Sequence, residues 1–237
     1  MIDLNKPIPT IEMPSIKDYD INYSSDLIVS LSNAGFKCKP MYYEQGYPNA
    51  LNDCYVRISL VDRLKKAESL LPNGYKFLIY DGWRPVEVQQ SLWDEYFNKI
   101  KEENPNKSNE ELEYLTSFYI SKPSYNMKRP SLHNTGGAID LTIIDENGNE
   151  LDMGTKFDEF GPKCWTNHFE PNYEFGANNE TIMKNRRLLY NAMISVGFTN
   201  LPSEWWHYDY GTKFWAYFTG NNALYKGIRK INTSLWG

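Results

Sequence analysis

Pro130-Ser131-Leu132-His133-Asn134-Thr135-Gly136-Gly137-Ala138-Ile139-Asp140-Leu141-Thr142-Ile143-Ile144 is the stretch that decides how this chain folds. From Gly137 onward the residues alternate. Ile139, Leu141 and Ile143 take one face of a strand, and Ala138, Asp140 and Thr142 take the other. Two glycines lead into the strand, and an aspartate sits inside it between apolar neighbours. A carboxylate in a core strand is costly unless it is paired or bound to a metal. The competing reading is an edge strand with Asp140 facing solvent.

On the C-terminal side, Asp145-Glu146-Asn147-Gly148-Asn149 carries the Asn-Gly hairpin signal. Upstream, Leu60, Val61, Leu64, Ala67, Leu70 and Leu71 recur at helical spacing, and Pro72-Asn73-Gly74 closes that helix. Tyr75–Tyr80 reads as a strand. Pro85 is suited to a first helical turn, ahead of Val88, Leu92, Trp93, Tyr96, Phe97 and Ile100. Ser108 and Glu111 form a capping-box pattern within the polar segment 101–128. Ile182, Leu189 and Met193 mark a helix that Gly197 ends. Two late strands are expected, around Trp205–Tyr210 and Lys213–Phe218. Residues 1–55 read as an irregular region with short strands, packed on one domain spanning 1–237. Helices and strands mix without βαβ alternation, which makes the fold α+β: a small antiparallel sheet flanked by helices.

Composition narrows the function. A net charge of -5 gives no basic footprint for nucleic acid. No apolar run approaches the ~18 residues of a membrane span, and the start lacks a basic segment followed by an apolar run. The expected compartment is the cytoplasm. Three cysteines, Cys38, Cys54 and Cys164, without CxxC spacing, suit reduced buried thiols there. The 18 Tyr, 11 Phe and 7 Trp supply large rigid surfaces for a tight core or pocket.

Only three histidines are present. His168 reads as a structural or surface residue. His133 stands in the glycine-bearing loop before Asp140, and His207 lies in Pro202-Ser203-Glu204-Trp205-Trp206-His207-Tyr208-Asp209-Tyr210. A histidine among aromatics is commonly a hydrogen-bonded core residue, but Glu204 close by changes its meaning. Residues 204 and 207 would face opposite ways on a flat strand. Glu204 must therefore sit in the Pro202-Ser203 turn for both to reach one site. Two His and one Asp leave the fourth tetrahedral position that a catalytic zinc needs, and iron is the competing metal. A carboxylate such as Glu204 can then act as the general base. Arg84, before Pro85, belongs to a strand-to-helix junction that can aim a guanidinium into a cleft and stabilise an oxyanion. The alternative for Gly82-Trp83-Arg84-Pro85 is a surface turn.

Together these segments resemble the VanX-type D-alanyl-D-alanine dipeptidases of the zinc DD-peptidase superfamily. Asp81-Gly82-Trp83-Arg84-Pro85, then Ser131-x-His133-x-x-Gly136-x-Ala138-x-Asp140-Leu141-Thr142, Met153-Gly154-x-x-Phe157-Asp158 and Glu204-Trp205-Trp206-His207-Tyr208 occur in that family's order, over about residues 40 to 220. The resemblance implies zinc, one per chain, on His133, Asp140 and His207, with Glu204 as the catalytic base. It implies that Arg84 stabilises the tetrahedral intermediate and that Ser131 and Asp158 bind substrate, Asp158 through its ammonium group. It also implies a D-Ala-D-Ala substrate. Residues 1–55 and 101–128 do not follow the family's pattern. A peptidoglycan-trimming DD-carboxypeptidase or endopeptidase would use the same zinc site. A metal-dependent binding protein without catalysis would have no need of Glu204.

Overall fold

Every residue from Ala138 to Ile144 is buried, so the strand is covered on both faces and is no edge. The computed structural model describes residues 2–13, 19–22, 24, 26–171 and 179–231. In chain order it contains β1 (Ile28–Ser30), β2 (Lys37–Cys38), α1 (Met41–Glu44), β3 (Tyr55–Arg57), α2 (Ile58–Glu68) and β4 (Lys76–Asp81). There follow α3 (Val86–Glu103), α4 (Asn109–Thr116), β5 (Ala138–Ile144), α5 (Glu180–Ser195), β6 (Thr199–Asn200), β7 (His207–Asp209) and α6 (Lys213–Thr219). The main sheet has the order β2-β4-β5-β7-β6, with β5 in the centre. It is antiparallel except at the β2–β4 edge, and β1 pairs with β3 in a separate two-stranded ribbon. The α+β expectation is borne out.

The period-two pattern of β5 sorts its neighbours. Ile139, Leu141 and Ile143 join one core with Leu60 and Leu64 of α2 and with Leu189 and Met193 of α5. A smaller core gathers Tyr42, Val88, Leu92, Trp93 and Ile120. This second core gives the 101–128 segment its place. α4 starts at the capping box that Ser108 and Glu111 predicted, and the turn after it delivers Ile120 to the α3 side. The three cysteines are free thiols, Cys54 and Cys164 buried and Cys38 half-buried. No helix among the described residues is long and apolar enough to cross a membrane.

One expected element is wrong. Residues 213–218 form a helix, α6, and no strand. The Thr212 hydroxyl accepts hydrogen bonds from the backbone N–H groups of Phe214 and Trp215, and Gly220 ends the helix in the left-handed conformation. Apolar residues on both sides of a short run obscured the period, and the caps decided it. The sheet is completed instead by β6, whose two residues are too few to show any pattern.

One long tie organises the loop between β5 and α5. Arg186 of α5 is 2% exposed, and its guanidinium donates to the carbonyls of Met153 (2.8 Å), Lys163 (2.7 Å) and Trp165 (2.5 Å). It also lies over the Phe169 ring at 4.8 Å. Removing it strands three buried acceptors, each worth ~1–3 kcal/mol when left unpaired. Arg186→Met should therefore lower unfolding free energy by about 3 kcal/mol or more in denaturant titrations. A loss under about 1 kcal/mol would show that the carbonyls find other donors.

Candidate metal centre and active site

The sheet register builds the centre. Across the antiparallel ladders Asp140 of β5 lies opposite His207 of β7 on one side and Asp81 of β4 on the other. Directly paired residues in a ladder bring their side chains within contact distance. His133 arrives from the short 3-10 turn His133–Thr135 before β5. That turn closes on Gly136 at φ 72°, where an added Cβ would lie 2.4 Å from Ile28 Cδ1. The positive φ is what favours glycine there, while Ile28 would have to shift its side-chain end to admit a Cβ.

Three donor atoms converge. His133 Nε2 and His207 Nδ1 are 3.1 Å apart. Asp140 lies 3.3 Å from the first through Oδ2 and 3.0 Å from the second through Oδ1. One ligand atom from each of the three buried residues falls within 4.8 Å of the others. The outer ring nitrogens are held elsewhere: His133 Nδ1 sits 2.8 Å from the Gly82 carbonyl and His207 Nε2 3.0 Å from Asp209 Oδ2. Such partners fix ring orientation and leave the inner nitrogens for a metal. Asp140 Oδ1 is buried and, although 3.0 Å from His207 Nδ1, is not aligned for a hydrogen bond with it. Two imidazoles and a carboxylate with an orphaned oxygen fit a divalent cation.

Glu204 occupies the turn ahead of β7, with Oε2 3.8 Å from His207 Nδ1. The turn is held by bonds from Glu204 N–H to Leu201 and from Trp205 N–H to Cys164. This is the placement that the odd 204-to-207 spacing demanded. Arg84 lies between β4 and α3, as expected. Its Nε donates to Asp81 at 2.8 Å, one terminal nitrogen donates to Gln89 at 2.9 Å, and the other is 3.4 Å from Asp140. Gln89 in turn donates to the Ser121 carbonyl. Arg84 also stacks over the Tyr42 ring at 4.5 Å. Ser131 and Asp158 line the same small cavity of ≈ 50 Å³ as the three donors, Glu204 and Arg84. The Ser131 hydroxyl is buried without a partner, and Asp158 accepts from the Tyr42 hydroxyl at 2.8 Å. All seven residues singled out in the sequence therefore meet at one cavity.

Charge is unevenly distributed in this space. Asp81, Asp140, Asp158, Glu204 and Asp209 surround one arginine and two imidazoles. Burial raises the Glu204 carboxyl, and the Asp140 and Asp158 carboxylates push it further, to about 8, against His207 and Arg84. Burial likewise raises Asp158, with help from Asp140 and Asp81, to about 7 against Arg84 and Tyr42. Burial would raise Asp140 too, but its contacts with His133 and His207 hold it well below the ordinary carboxylate range. Burial opposes charge on Arg84, yet Tyr42, Asp81, Asp140 and Asp158 keep it firmly protonated. Carboxyls displaced toward neutrality in a cleft are the property that acid–base chemistry needs.

Four residues of the site escaped the sequence reading: Asp81, Asp209, Gln89 and Tyr42. Asp209 had a signal, since it follows His207 by two residues and shares its face of a strand. Asp81 lay within the Asp81–Pro85 segment itself. Tyr42 and Gln89 had none, for they reach the cavity from α1 and α3 only in the folded chain. His168 is buried against Phe169, ring centroids 4.9 Å apart, and does not line this cavity.

The chain is similar to known proteins over most of its length. The Peptidase M15 family, described as D-ala-D-ala dipeptidase, matches residues 41–222. The D-alanyl-D-alanine dipeptidase of Synechocystis sp. is 30% identical over 176 residues, covering 68% of this chain and 71% of that one. The Escherichia coli D-alanyl-D-alanine dipeptidase is 31% identical over 157 residues, 66% of each chain. That of Enterococcus faecium is 30% identical over 155 residues, 63% of this chain and 69% of its own. Among solved structures, VanYB in complex with D-Alanine-D-Alanine aligns over 94% of this chain and 93% of that chain, with TM-score 0.43 and 15% identity. With well over half of its length matched in this way, the chain belongs to the Peptidase M15 family of D-ala-D-ala dipeptidases.

Proposed function

We propose that this protein hydrolyses D-alanyl-D-alanine to two D-alanines, with one zinc ion held by His133, Asp140 and His207 and with Glu204 as general base. The observation that carries the reading is the convergence of His133 Nε2, His207 Nδ1 and the Asp140 carboxylate beside a carboxyl of raised pKa. Three protein donors of this kind suit zinc with one position left open. When bound, zinc supplies Lewis acidity, polarising the scissile carbonyl and acidifying water.

The rest falls to the chain. Glu204, with its carboxylate 3.8 Å from His207 Nδ1, takes the proton from the attacking water and returns it to the departing amine. Arg84, anchored by Asp81 and Gln89, presents a fixed positive charge toward the oxygen that gains negative charge during attack. Asp158 receives the ammonium group of the dipeptide, and the unpartnered Ser131 hydroxyl offers a hydrogen bond to its backbone. Residues 1–237 act as one peptidase domain, working in the cytoplasm on a small free substrate.

Purified protein should carry about one zinc per chain by elemental analysis. His133→Ala, Asp140→Ala and His207→Ala should each lose most of it; full occupancy in all three would remove the ligand assignment. Glu204→Gln should retain the metal yet lose ~10²–10⁴-fold in kcat on D-Ala-D-Ala. Turnover near wild type in that variant would take the base role away from Glu204.

Asp158 yields a pH test. Its carboxyl titrates near 7 and pairs with an ammonium only when ionised, so the charge is present above that pH and lost as pH falls through it. The kcat/KM for D-Ala-D-Ala should therefore rise with pH through about 7. Asp158→Asn should remove the part of this rise that belongs to Asp158, leaving the part set by Glu204, and should lower kcat/KM overall with metal content unchanged. An identical profile in the variant would show that Asp158 does not hold the ammonium.

A further inference from the structure

The cavity beside the metal donors ends at Tyr119, Asp158 and Phe160, and these same three side chains line a second cleft on their outer side. The inner space measures ≈ 50 Å³ and the outer one ≈ 370 Å³. Tyr119 comes from the turn after α4, and Phe160 from the loop that carries Asp158. Their rings meet edge to face with centroids 5.9 Å apart at 81°. Tyr96 of α3 backs both: it meets Phe160 edge-on at 5.1 Å and stacks on Tyr119 at 6.1 Å. On the inner side Phe160 leans on Trp206, at 6.4 Å, in the turn just before His207. The barrier is therefore a contact between side chains of separate elements, not a stretch of backbone. Beyond it the outer cleft is walled by Lys99 and Glu103 of α3 as well as by aromatic rings. Such a mixed lining suits an extended polar chain.

We propose that the Tyr119–Phe160 contact sets the length of peptide this enzyme accepts, and that the outer cleft is the space into which a longer peptide would run if the contact were removed. The inference rests on the dipeptidase reading, which puts the substrate's amino end at Asp158. A longer chain running from there toward the outer cleft passes between Asp158 and the two rings. With both rings in place it meets aromatic carbon, and with either one truncated it enters the outer cleft. The metal donors, Glu204 and Arg84 lie on the other side of the substrate, so the chemistry is common to both lengths and only access differs.

The test compares kcat/KM for D-Ala-D-Ala and for L-Ala-D-Ala-D-Ala in the zinc-loaded protein, with D-alanine release as the readout. Wild type should favour the dipeptide strongly. Phe160→Ala and Tyr119→Ala should each raise the tripeptide-to-dipeptide ratio by about tenfold or more, the scale on which pocket shape discriminates substrates. Phe160→Tyr, which keeps the ring, should hold the wild-type ratio. Tyr119 is 39% exposed, so its truncation carries the test even if Phe160→Ala fails to fold. An unchanged ratio in a variant that still hydrolyses D-Ala-D-Ala overturns the proposal, as does wild type that cleaves the tripeptide as well as the dipeptide. Wild type with zinc bound that hydrolyses neither would instead overturn the dipeptidase reading, and the proposal with it.

Discussion

A buried carboxylate in the middle of the central strand is the constraint on which this structure turns. Asp140 is 1% exposed, with Ile139 and Leu141 packed into the main core on either side. Taking an ionised carboxyl out of water costs several kcal/mol unless its surroundings compensate. Here they do so in layers. His133, His207 and Arg84 face Asp140 directly. Behind them the Gly82 carbonyl, Asp209, Asp81 and Gln89 hold those three in place. Each outer partner makes the inner one more rigid, and the inner ones are aimed at a single point.

The layers do not balance in charge, and the imbalance is informative. The surrounding side chains compensate Asp140 well but Glu204 and Asp158 poorly, so that burial drives these last two carboxyls up toward neutrality. A stable fold has little reason to gather so many acids at one cavity. The proposed cation and substrate ammonium would each supply positive charge where these acids lack it. Displaced pKa values gathered in one cleft are a mark of functional sites.

The loop bearing Asp158 shows how far the support extends. Arg186 fixes its two ends from α5. Its neighbour Arg187 pairs with the Glu170 carboxylate and donates to the Leu4 carbonyl, while the Ile8 N–H donates to the same Glu170. The N-terminal residues Leu4 and Ile8 lie outside the family match at 41–222, yet they brace the helix that holds the loop bearing Asp158. Asp158 itself sits at φ 57°, a left-handed conformation uncommon for a residue with a side chain. Its backbone is held there by a loop tied at both ends, and its carboxyl is pinned by Tyr42.

By itself the sequence determined much of this protein: the alternation of β5, the helical spacing of α2 and α5, the capping box of α4, and the metal donors. Those features are local, or rest on residue types too costly to bury without purpose. Three histidines and a core-strand aspartate leave few partners for one another, and the odd spacing of Glu204 and His207 forced a turn between them. Only the tertiary structure decided the rest. It made residues 213–218 a helix, because caps at Thr212 and Gly220 outweigh an ambiguous apolar pattern. It brought Asp81 and Asp209 to the imidazoles, since ladder register is set between strands distant in sequence. It also delivered Tyr42 and Gln89 to the cavity from α1 and α3, and Tyr119 from the turn after α4. Periodicity tells a residue which face it lies on. What waits across from that face depends on packing, which no local pattern encodes.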